Sequence, residues 1–149
     1  FRGRNLDMAA MKARMEGLMR AEGLEYVARD RTYNSRLAQE LGKWGESAGK
    51  PAIHDALFRA YFIDGINLAK VDPLVKVAES VGLDGTEARR VLEERAFRGA
   101  IDEDWKRARG MGVTGVPTFA AAGRGVVGAQ PYEILERLVL QAGAVKLAP

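Results

Sequence analysis

The sequence predicts an α/β chain that is mostly helical and closes with a β-hairpin and a final helix. Three observations lead there. Between about residues 8 and 111, apolar side chains recur at three- and four-residue steps, in segments separated by glycines or capping residues. After Gly112 the pattern shortens to β-type runs on either side of a glycine turn. The composition is that of a packed domain: of 149 residues, 47% are hydrophobic and 29% charged, which argues against disorder and fibrous architecture.

Each element follows in order. Met8, Met11, Met15, Leu18 and Met19 form the stripe of a first helix that Gly23 stops, and a methionine stripe of this kind is read as core filling. Residues 25–31 connect it to a second helix, N-capped by Asn34, with Leu37, Leu41, Trp44 and Ala48 on one face and Gly49 at its end. Pro51 suits the first turn of a third helix carrying Ile53, Leu57, Ala60 and Tyr61, ended by Gly65. Asp72-Pro73 reads as a cap and first-turn proline for Leu74, Val77, Ala78 and Val81. Asp84, three residues before Glu87, fits a capping box for Ala88, Val91 and Leu92. Phe97, Ile101, Trp105 and Ala108 continue as helix to the Gly110-Met111-Gly112 break. Val116 to Ala120 then reads as a strand entered through Pro117, Gly123-Arg124-Gly125 as a turn, and Val126-Val127 as a second strand. Pro131 opens the last helix, with Ile134, Leu135, Leu138 and Val139 inward and Gly143 closing it. Two strands do not make a stable sheet in water by themselves, so the sheet needs further partners, and its open edges make a homodimer one expectation.

Composition also excludes functions. The chain has no cysteine, which removes disulfides, thiolate metal sites and cysteine nucleophiles. Lys+Arg 23 against Asp+Glu 20 leaves +3, but the bases alternate with acids (Arg29-Asp30-Arg31, Glu93-Glu94-Arg95) and form no one-sign face, which argues against nucleic acid. No apolar run approaches the length of a membrane span, and no signal-peptide core opens the sequence. The expected location is the bacterial cytoplasm. A start at Phe1 also leads us to expect a chain that is incomplete at its N-terminus.

The tempting motifs read as structure. Gly123, Gly125 and Gly128 match G-x-G-x-x-G, yet the segment between them favours a strand and no βαβ unit follows, so they are hairpin glycines rather than a dinucleotide cradle. His54 is the sole histidine and has no local cluster of ligands or orienting partner, so it is a helix-surface residue. No serine lies in a nucleophile elbow. No catalytic, metal or cofactor-binding residue is assigned in this chain. The informative element is Gly112-Val113-Thr114-Gly115-Val116-Pro117-Thr118-Phe119, where a proline opens an edge strand.

Gly115-Val116-Pro117-Thr118-Phe119 resembles the cis-proline loop of thioredoxin-fold proteins, in the form found in DsbA-like oxidoreductases. Leu57-Phe58-Arg59-Ala60-Tyr61-Phe62, Asp72-Pro73-Leu74 and Val81-Gly82-Leu83-Asp84 are similar to that family's helical insertion, and Val127-Gly128-Ala129-Gln130-Pro131-Tyr132 to its tail. The ordered set, over about residues 34–142, resembles the FrnE-like branch of disulfide oxidoreductases and isomerases. The resemblance implies a thioredoxin-like fold with residues 1–7 ending its first unit, 8–111 as the helical insertion and 112–149 as the terminal strand–turn–strand–helix. It implies a Cys-x-x-Cys upstream of Phe1, in a unit of ~30 residues or more. It also makes Val116 and Pro117 the substrate-binding residues, with Val116's backbone pairing to an extended thiol- or disulfide-containing polypeptide through a cis Val116–Pro117 bond. Two alternatives share this architecture: a glutathione-dependent isomerase or transferase of the 2-hydroxychromene-2-carboxylate isomerase or kappa class, and a redox-inactive peptide-binding module.

Overall fold

Among the described residues, seven helices and one hairpin make up the architecture: α1 (Met8–Ala21), α2 (Arg36–Ser47), α3 (Ile53–Phe62), α4 (Val71–Ser80), α5 (Gly85–Glu93), α6 (Arg98–Gly110), β1 (Thr118–Ala121), β2 (Arg124–Val127) and α7 (Tyr132–Gln141). The computed structural model describes residues 8–28 and 31–147, so the expectation placed on residues 1–7 lies outside it. The chain divides into two units, Phe1–Ile101 and Asp102–Pro149, with the boundary inside α6. No strand occurs among the described residues from 8 to 111.

The first unit is built on α2 to α5. Leu41, Ile53, Leu74 and Leu92 are almost completely excluded from solvent and meet at its centre, with Ala78 and Ala88 letting the helices approach. Each such leucine or isoleucine contributes roughly 1.5–3 kcal/mol by leaving water. The periodicity therefore placed these residues on the correct faces. Asp84 caps α5 as expected, its Oδ1 accepting the Glu87 N–H at 2.7 Å. Glu87 does not complete a capping box, because its carboxylate turns to Arg90.

Other expectations need correction. The methionine stripe of α1 is not core: Met11, Met15 and Leu18 are exposed, Met19 is half-buried, and α1 packs against none of α2 to α5. Amphipathic spacing states which side is apolar, not that a partner covers it. Ser35 rather than Asn34 is the N-cap of α2; Asn34 sits one residue earlier and accepts the Arg36 N–H at 2.9 Å. Helix α4 starts before Asp72, at Val71, and Asp72 accepts a hydrogen bond from Arg89 of α5 at 2.6 Å instead of capping. In α6, Ile101 is buried as expected but Trp105 is exposed.

A feature that periodicity could not reveal pins this unit. Glu40, in the middle of α2, is completely buried. Its carboxylate accepts two hydrogen bonds from Arg95, at 2.6 and 2.9 Å, and one from Arg36 Nε at 3.3 Å. Arg36 in turn donates to the Arg98 carbonyl at 3.1 Å. Arg95 ends the α5 turn with a left-handed φ of 56°, a conformation that disfavours a side chain. The Arg95 guanidinium, by hydrogen bonding and then by its charge, holds the Glu40 carboxyl below the usual carboxylate range against the opposing effect of burial.

Two outcomes follow. Glu40→Gln should cost about 1–3 kcal/mol at neutral pH, since it weakens charge-assisted bonds inside a closed site. Because the folded pKa is depressed, that stabilisation is present above the unfolded value of about 4.3 and is lost as pH falls through the folded one. Denaturant unfolding of both proteins should therefore show their difference shrinking as the pH drops below about 4. Separately, a Cβ at Gly45 would lie 2.7 Å from Ile53 Cγ2, where α2 and α3 meet. Gly45→Ala should lower thermal stability by about 1–3 kcal/mol despite its better helix propensity.

Candidate functional site

The second unit presents its loop through backbone geometry. At the end of α6, Gly112 adopts φ 75°, and the Val113 N–H returns to the Ala108 carbonyl at 3.0 Å, which turns the chain out of the helix. Residues 113–117 then lead into β1. Thr118 Oγ1 donates to the Gly115 carbonyl at 2.6 Å and closes the loop on itself. A Cβ on Gly115 would stand 3.2 Å from Val127 Cγ1, so glycine lets β2 lie close against the loop. The Val116–Pro117 peptide bond is cis.

The hairpin beyond the loop is regular. Thr118 pairs with Val127, Phe119 with Val126, Ala120 with Gly125 and Ala121 with Arg124. The turn is Ala122-Gly123, both with positive φ, one residue earlier than the Gly123-Arg124-Gly125 expectation. The Gly128 N–H donates to the Pro117 carbonyl at 2.8 Å, extending the ladder by one position. Antiparallel alternation then turns the backbone groups of Thr118 and Ala120 away from β2, towards the outer edge of β1. Helix α7 packs on both strands and buries Leu138. The three glycines of the G-x-G-x-x-G match thus lie in the turn, in β2 and just after it.

Val116 is 89% exposed, and among the described residues its backbone N–H and C=O make no hydrogen bond. Pro117 is also exposed. No ionisable side chain occurs from residue 110 to 123. In this unit the Glu136 carboxyl is lowered by its bond from Lys146 and the Lys146 ammonium is raised by the same bond; both lie outside the loop. The loop therefore carries no ionisable acid or base of its own. What it offers is backbone hydrogen bonding beside an apolar side chain. Sequence reasoning singled out Val116 and Pro117 but missed the Thr118 hydroxyl that closes the loop and the Gly128 amide that anchors Pro117.

The other singled-out residues are placed elsewhere. His54 lies on α3 in the first unit, half-exposed, with Nε2 3.9 Å from Glu46 Oε2. Among the described residues no group of three or more histidines and carboxylates is positioned to hold a metal ion, and no helix of theirs is long and apolar enough to cross a membrane.

A family described as the DSBA-like thioredoxin domain matches residues 5–139. The chain belongs to this family. Its members' thioredoxin-like fold accounts for the arrangement here, mostly helical with a terminal hairpin and helix. Among solved structures, SCO1869 of Streptomyces coelicolor, named a probable DsbA oxidoreductase, is 32% identical, with a TM-score of 0.80 over 93% of this chain and 63% of that one. A candidate protein disulfide isomerase from Nitrosomonas europaea shares the fold at 15% identity, with a TM-score of 0.66 over 93% of this chain and 77% of that one. YwbO of Bacillus subtilis is 32% identical over 84 residues, which is 56% of this chain and 42% of YwbO. The DsbA-like chain described here thus spans less than two thirds of the length of YwbO and of SCO1869.

Thr118→Val tests the loop closure in this DsbA-like chain. It removes one hydroxyl bond to the Gly115 carbonyl and should cost about 1 kcal/mol. Amide hydrogen exchange at Gly128, whose N–H bonds the Pro117 carbonyl of the same loop, should accelerate while exchange in α2 to α5 stays unchanged.

Proposed function

We propose that this chain is the peptide-docking part of a thiol–disulfide oxidoreductase or disulfide isomerase of the FrnE-like type. In this reading Val116 and Pro117 form the surface on which a cysteine-containing polypeptide lies extended. The observation that carries it is the Val116 backbone, unpaired and solvent-facing at the entrance to β1. An extended peptide satisfies both of its groups in the manner of an added strand, and main-chain bonds of this kind bind many sequences. The exposed Val116 side chain adds apolar contact at the same point. The segment from residue 110 to 123 has no charged side chain of its own.

The redox step needs a thiolate, and this chain has no cysteine. The thiolate therefore comes from a separate segment of polypeptide. It attacks one sulfur of the substrate disulfide, forms a mixed disulfide and expels the other sulfur as thiolate. This chain's part is to hold the substrate backbone still while that exchange occurs. The names given to SCO1869 and to the Nitrosomonas protein support this assignment of chemistry.

The experiment is amide exchange on the isotopically labelled chain with an unstructured peptide bearing a disulfide-linked cysteine. Exchange at Val116 should slow by about tenfold at saturation, as expected for an amide drawn into a strand pairing. Protection elsewhere with none at Val116 would overturn the docking role. The same protection produced by oxidised glutathione, with none from the peptide, would favour the glutathione-dependent isomerase reading instead.

A further inference from the structure

We propose that Met11 and Met15 form a site of reversible sulfoxidation by hydrogen peroxide, which converts the outer stripe of α1 from apolar to polar. The proposal is independent of the docking role assigned to Val116. Four of the chain's five methionines, at positions 8, 11, 15 and 19, fall within α1. Met11 and Met15 are 51% and 42% exposed, one turn apart, and Leu18 continues the same stripe at 46%. Met19 is half-buried. Among the described residues none of α2 to α5 packs against this helix, so within this chain peroxide reaches the two thioethers directly.

The chemistry is complete as written. The thioether sulfur attacks one peroxide oxygen, the O–O bond breaks and an S–O bond forms. Sulfur is oxidised by two electrons, and the other peroxide oxygen takes a proton and leaves as water. Within this chain, which has no cysteine, thioethers are the oxidisable sulfurs. The product also has a local partner. The sulfoxide oxygen is a strong acceptor, and helical spacing puts Arg14 three residues from Met11 and Lys12 three residues from Met15. Neither cation is in an ion pair among the described residues. An apolar stripe flanked by two available donors thus becomes a polar one with its new oxygens satisfied. Methionine sulfoxide reductases reverse the change.

The test uses the full chain with Met111→Leu, which removes the exposed methionine outside α1. Peroxide treatment followed by peptide mass mapping should give sulfoxide at Met11 and Met15 at least about threefold faster than at Met19, in line with their exposure. Retention on a hydrophobic-interaction column should fall on oxidation and return after treatment with both sulfoxide reductases. In the further variant carrying Met11→Leu and Met15→Leu, the stripe stays apolar and peroxide should leave retention unchanged. Equal rates at Met19, or the same loss of retention in that variant, would overturn the proposal.

Discussion

A single buried carboxylate organises the first unit. Glu40 lies in the middle of α2, where a charge removed from water is costly unless it is fully paired, and two arginines meet that need. The pairing reaches beyond α2. Arg95 closes the end of α5 in a left-handed conformation, and Arg36 bonds the carbonyl of Arg98, where α6 begins. One carboxylate therefore ties the start of α2, the end of α5 and the first turn of α6. The leucine and isoleucine core supplies most of the stabilisation, but it is non-directional and would tolerate sliding. The ion triad has fixed geometry and sets the register in which those apolar surfaces meet. An apolar residue at position 40 would remove the need for pairing, and with it the constraint on where α6 starts.

The second unit uses a different kind of constraint. Its informative loop has no ionisable side chain, and its shape comes from glycines, one threonine hydroxyl and the hairpin ladder. Gly112 turns the chain out of α6, Gly115 admits Val127, and Thr118 closes the loop. Every one of these contacts orients backbone rather than a reactive group. Such a surface suits main-chain hydrogen bonding, which is what the proposed docking role asks of it.

What was legible in the sequence follows from the range of the interactions involved. Helix faces such as Leu41, Leu74 and Leu92, the Asp84 cap and the glycine-bounded hairpin depend on residues within a few positions of each other, and the pattern displays them. At Val116-Pro117 the residues alone display a proline opening a strand, and the expectation of the cis bond rested on the resemblance. Glu40 was not, because its partner Arg95 is 55 residues away and a glutamate among helix charges reads as solvated. The caps at Asn34 and Asp72 were misplaced because each side chain found another bond: Asn34 with the Arg36 amide, Asp72 with Arg89 of the neighbouring helix. The α1 stripe shows the complementary limit. Periodicity correctly gave a helix with one apolar side, but burial is decided by tertiary neighbours, and α2 to α5 already satisfy one another.

The two exposed apolar features, the α1 stripe and the Val116 loop, differ in what solvent exposure costs them. Methionine is unbranched and polarisable, and its exposed side chain retains rotameric freedom that offsets part of the unfavourable hydration. A backbone amide and carbonyl held at a fixed angle, as at Val116, lose little in water because water bonds them, yet they remain ready for a stronger geometric match. The proposed docking role draws on this, since a strand that replaces the water would gain directional bonds there. The stripe on α1 is adaptable rather than preorganised, so its properties change most when the sulfur itself changes. Direction is what matters at Val116, where the backbone groups can bond, and area is what matters at Met11 and Met15, whose contribution is exposed apolar surface.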